Sequence, residues 1–172
     1  MRRLIQLAFV IGMVVVCQVP TSVGANQPVR FPSQAIAGTF PAGLLCKTDF
    51  DIDIALVGTR TQTETDFYDK SGLHVVRMMF TGPMSFSVRN DTTGKEIVVD
   101  AGGPGNTYLH PDGSSFNVGS GHGFIGLFPT DEGGPALFTI VGHETVTRAA
   151  DGTLHNLVIE GTVTDLCAVL AG

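Results

Sequence analysis

The chain has 172 residues with 10 basic and 16 acidic side chains, and only 15% of it is charged, well under the usual ~25%. The basic residues stand singly instead of in a stripe, which argues against nucleic acid or an anionic membrane surface as the partner. Surface polarity must then come from Ser, Thr, Asn and a backbone carrying 22 glycines.

Arg2 and Arg3 form a basic start, Leu4 to Val16 is apolar apart from Gln6, and Val23-Gly24-Ala25 follows Pro20. That order is the order of a secretory signal peptide over residues 1–25. The apolar run is about 13 residues, short of the ~20 needed to span a bilayer. An uncut anchor and a lipid on Cys17 are the alternatives, although Val14-Val15-Val16 before that cysteine is bulky for lipoprotein processing. Cleavage takes two arginines and Cys17, leaving eight bases against sixteen acids and an even pair of cysteines, Cys46 and Cys167. In a secreted or cell-envelope protein such a pair is expected to form a disulfide that brackets nearly all the strands. Neither cysteine has a Cys or His nearby, so a redox or metal pair is not expected.

Residues 26–45 contain Pro28, Pro32 and Pro41 and read as an extended N-terminal arm with at most a short strand. From Cys46 the period is two: Phe50, Ile52, Ile54 and Leu56 alternate with Asp49, Asp51, Asp53 and Ala55, a half-buried strand with its carboxylates on the solvated face. Thr61 to Phe67 and Leu73 to Thr81 read as strands about a turn at Asp69 to Gly72. Gly82-Pro83 interrupts, Met84, Phe86 and Val88 resume the alternation, and Asn90 to Gly94 turns the chain into Glu96 to Ala101. Beyond the Gly102 to Gly105 loop, Asn106 to His110 is a short strand, and Pro111-Asp112-Gly113-Ser114 is a turn. Ser115 to Ser120 and His122 to Phe128 read as strands around a flexible Gly121. Ala136 to Gly142, Thr145 to Ala149 and Leu154 to Thr164 follow as further strands, and Asp165 to Leu170 reads as a helical turn or a strand end. No window carries the 3.6-residue period. Residues 46–172 are therefore expected to form an all-β domain, an antiparallel β-barrel of about eight to ten strands, with a β-sandwich as the alternative.

Chemistry-bearing motifs are sparse. Gly121 to Gly126 matches G-x-G-x-x-G, but no helix follows to take a pyrophosphate. Asp49, Asp51 and Asp53 lack the glycine and the bidentate Glu of a calcium loop. His74, His110, His122, His143 and His155 show no zinc spacing, and no G-x-S-x-G elbow surrounds a serine. Neither a metal nor a cofactor is expected, and no catalytic residue is assigned.

The frame of Cys46 leading into its strand, Thr81-Gly82-Pro83, Thr93-Gly94-Lys95, Gly103-Pro104-Gly105, Pro111 to Ser114 and Asp165 to Leu170 resembles a group of small exported actinobacterial proteins. The likeness runs from Cys46 to Leu170. It implies export, a β fold and the cysteine bridge, and it carries over no catalytic residue. A likeness of shape to allene oxide cyclase or dirigent barrels is a fold analogy and licenses no activity.

The functional expectation is an exported small β-barrel that binds a small apolar molecule or an extracellular partner, with Met78, Phe80, Met84 and Phe86 as adaptable lining. No membrane partner is expected once the signal is removed. A structural envelope protein without ligand is one alternative. The other is a barrel enzyme with a polar interior cluster drawn from Arg77, Arg89, His122 and Glu160.

Overall fold

The computed structural model describes residues 28–32, 37–58 and 62–172. The signal-peptide reading of residues 1–25 lies outside the described residues. Among those described, eleven strands and one short helix follow in the order β1 (Val29–Pro32), β2 (Gly38–Phe40), β3 (Ile52–Leu56), β4 (Thr63–Tyr68), β5 (Val75–Thr81), β6 (Ser85–Asn90), β7 (Glu96–Asp100), β8 (Gly105–Leu109), β9 (Ser115–Leu127), β10 (Ala136–Arg148), β11 (Leu154–Asp165) and α1 (Leu166–Ala171). The chain is all-β, in two antiparallel sheets. Seven strands pair in the order β1-β4-β5-β8-β9-β10-β11 and four in the order β2-β3-β6-β7. Among the described residues the pairing closes neither sheet into a barrel. The two short strands of the N-terminal arm divide between the sheets, β1 pairing with β4 and β2 with β3.

Alternation decides the inner face of the four-stranded sheet. Leu56, Phe86 and Val99 stand opposite one another across β3, β6 and β7, and Ile54, Val88 and Ile97 do the same two positions along. Directly opposed residues share a face, so these side chains make one apolar surface. It packs against Leu45, Leu137, Leu166 and Leu170 in a single cluster. The aspartates fall on the other side: Asp53 accepts from Thr39 Oγ1 at 3.1 Å, and Asp51 from the Ala42 amide at 2.9 Å.

α1 is too short to hold as an isolated helix. Asp165 caps it by accepting from the Ala168 amide at 3.1 Å. Buried Asn90 reaches its far end, donating from Nδ2 to the Leu170 carbonyl at 3.1 Å while Oδ1 accepts from the Thr92 and Thr93 amides. The Cys46–Cys167 disulfide, across 121 positions of sequence, fixes the helix to the segment that leads into β3.

Three hairpins of the larger sheet turn on one device, an Asp accepting from the residue two places on. Asp69 takes the Ser71 hydroxyl, Asp112 the Ser114 hydroxyl, and Asp151 the Thr153 amide and hydroxyl. Such turns are local alternatives to ladder bonds. The same bonds hold all three carboxyls below the ordinary aspartate range.

The sequence expectation of breaks at Gly121 and after Gly142 differs from the structure. β9 and β10 are each continuous over 13 residues. Gly121, Gly142 and Gly161 stand side by side across β9, β10 and β11. Their φ angles are +81°, +155° and +152°. Phe138 and Ile140 precede Gly142 and Val146 follows it, yet all three share one cluster with Leu127 and Leu154. The strands therefore bend across the glycine row without ending there, folding one face of the sheet onto itself.

Candidate functional site

A cleft of about 250 Å³ opens between the four-stranded sheet and the neighbouring part of β9 and β10. β6 supplies Phe86 and the connection before it Met84; β9 supplies Phe124 and Gly126, and Phe128 follows its end. Phe86 and Phe124 stack with ring centroids 5.1 Å apart and planes 27° apart, joining the sheets through an aromatic pair. Gly126 has to be small: a Cβ there would lie 2.9 Å from Leu45 Cδ2. Phe40, Ala101 and Leu137 extend the apolar wall. Arg148 is the one charged residue in the lining among the described residues.

Of the four sequence-predicted lining residues, Met84 and Phe86 reach this cleft. Met78 and Phe80 do not line it. They lie on β5 in the other sheet, with Met78 between Asp66 and Thr107 and Phe80 between Glu64 and Gly105. Gly82, at φ +108°, and Pro83 separate the two pairs and carry the chain from one sheet to the other. Reading by alternation missed Phe40, Phe128 and Arg148. Arg148 ends a strand that the sequence appeared to divide.

The polar cluster offered for an enzyme is not assembled. Arg77 lies in the seven-stranded sheet with its guanidinium 3.8 Å above the Phe67 ring. Arg89 lies in the other sheet, 2.8 Å from Asp91 and 3.8 Å from Asp53. Among the described residues no three His, Cys, Asp or Glu side chains gather to hold a metal ion. The G-x-G-x-x-G stretch lies within β9, where Gly121 belongs to the glycine row at the bend and Gly126 faces Leu45.

Gly119, just before that stretch, and Gly123 within it make room for Glu144. A Cβ on Gly119 would fall 1.9 Å from Glu144 Oε1, and one on Gly123 would fall 3.2 Å from it. The carboxyl lies over the neighbouring strand, and its Oε2 is buried without a hydrogen-bond partner. Burial pushes it above the ordinary glutamate range, and His143 pulls it partly back. A buried acid favours its neutral form. The native state therefore loses stability as pH rises from the unfolded pKa, near 4.5, through the raised native one, with no further loss above that. Glu144→Gln is expected to be more stable than the parent at pH 7, with the advantage fading below the ordinary glutamate range. Urea midpoints measured across that pH range check this, and parallel curves for the two proteins would count against it.

No protein family, curated protein or solved structure matches the chain.

Proposed function

We propose that the protein is an exported binding module that holds a small apolar molecule in the cleft between its two sheets. The observation that carries this reading is the cleft itself: an apolar, aromatic concavity with the charged group of Arg148 at its wall. An engineered apolar cavity of roughly 150 Å³ accepts benzene, so the space here suits a ligand of about a dozen non-hydrogen atoms. We read the two sheets as layers of an open sandwich with the ligand between them, in place of a closed barrel holding it in a lumen. Export is supported by the basic start and apolar run of the sequence and by the Cys46–Cys167 bridge, which belongs in an oxidising compartment. Among the described residues no helix is long and apolar enough to cross a membrane.

Ala101 lines the cleft and is only partly buried, so a larger side chain there fills space that is now empty. Ala101→Phe is expected to lower the affinity for a fluorescent apolar probe at least about tenfold, the size of a 1.4 kcal/mol loss, with the fold retained. Unchanged probe binding by the folded variant would remove the cleft as the site.

A further inference from the structure

We infer that the cleft selects apolar molecules carrying a single carboxylate, and that Arg148 receives the acid group. This inference rests on the cleft being the binding site. Among the described residues the lining is otherwise uncharged: Phe40, Met84, Phe86, Phe124 and Phe128 offer no partner for a polar head. Arg148 closes β10, opposite Ser115 of β9 and Leu154 of β11. Its Nη1 donates to the Gly152 carbonyl at 2.6 Å, which holds the guanidinium to the turn between β10 and β11. Of the turn carboxylates on this side of the sheet, Asp151 accepts from Thr153, and Asp131 accepts from the amides of Phe128 and of Leu154, the residue paired with Arg148. No ion pair to Arg148 is formed among the described residues, whereas Arg89 has two acidic partners.

The planar guanidinium has five donors, and one nitrogen is occupied by the backbone, so an edge remains that matches a carboxylate in two parallel hydrogen bonds. The setting sharpens the choice. The chain carries a formal net charge of −6, so an anion meets general repulsion and binds only where a local cation offsets it. An apolar acid satisfies both parts of the site at once, its body against the aromatic rings and its head at the rim, where water still reaches it. A doubly charged phosphate head would meet the same single cation with one charge left over.

Isothermal titration of the full exported chain with naphthoate and with naphthamide tests the inference. The two share shape and apolar area and differ in charge. Naphthoate is expected to bind about tenfold more tightly, the scale of one charge-assisted pair at a partly wet rim. Arg148→Gln is expected to erase that preference by weakening naphthoate far more than naphthamide, and its far-UV circular dichroism, matched to the parent's, reports that the variant is folded. Arg148→Lys should restore only part of it, since a point charge cannot make the parallel pair. Equal binding of the two compounds by the parent protein, or a preference that survives in Arg148→Gln, would overturn the inference and leave the cleft reading intact. Binding of neither compound by the parent protein would overturn the inference and the cleft reading together.

Discussion

Loss of the Cys46–Cys167 bridge is expected to destabilise the protein by about 5 kcal/mol, the chain-entropy figure for a closed loop of this length. The bridge spans 121 positions, and small domains are stable by only ~5–15 kcal/mol in all. Its removal therefore consumes much of the margin. The effect is concentrated at one place. Cys46 is 1% exposed, and Leu166 and Leu170 of α1 lie in the same cluster as Leu45, Ile54 and Leu137. A helix of six residues has no independent stability, so without the bridge only packing, its cap and Asn90 hold it. Urea unfolding of the Cys46→Ala, Cys167→Ala double variant beside the oxidised parent measures the loss. A shift under about 1 kcal/mol would mean that the denatured chain is already compact, so that the link restrains little.

Gly142→Ala is expected to cost about 3 kcal/mol or more, from two sources. Its φ of +155° is one that side-chain-bearing residues rarely adopt, a strain on the order of 1–3 kcal/mol. An added Cβ would also stand 2.2 Å from the Glu160 carbonyl oxygen and 2.8 Å from the Gly161 Cα. Both are backbone atoms of the paired strand, so relief requires moving the strand, and overpacking of that kind costs a further ~1–3 kcal/mol. Gly152→Ala separates the sources, because its φ is +93° and nothing lies within 4 Å of the added atom. That variant is expected to lose only about 1 kcal/mol, the low end of the backbone strain. Denaturant midpoints check both, and equal losses at the two positions would show that steric contact across the glycine row contributes nothing.

The strand content was legible because period-two alternation and turn chemistry act locally. Ile52 and Ile54 are buried and Asp51 exposed, as the pattern around them requires, and the Asp-x-Ser and Asp-x-Thr turns fall at hairpin ends. Bridge formation followed from an even pair of thiols. The pairing order was not legible. β5 and β6 are adjacent in sequence, yet β5 pairs with β8 and β6 with β3. Alternation sorts residues onto two faces without saying which sheet a face belongs to, and so Met78 and Phe86, eight positions apart, end in different sheets. Gly121 and Gly142 carried the signature of chain breaks, but glycine in a strand also permits a sharp bend with the ladder intact. Half of the cleft was hidden for the same reason, since Phe124 and Arg148 lie on strands that continue through such glycines.

The bridge also sets an order in time. Cys167 follows all eleven described strands, so a chain delivered from its N-terminus presents Cys46 long before its partner in the bridge exists. The β3–β6–β7 layer is complete in sequence by Asp100, yet the residues that cap its apolar face come from β10 and α1. Contacts so distant along the chain form late, after the loops between them have closed. Throughout that interval Cys46 lacks its native partner and stands beside an uncovered apolar surface. Maturation is therefore paced by arrival of the last helix, and a molecule interrupted before α1 lacks the partner that Cys46 takes in the finished fold.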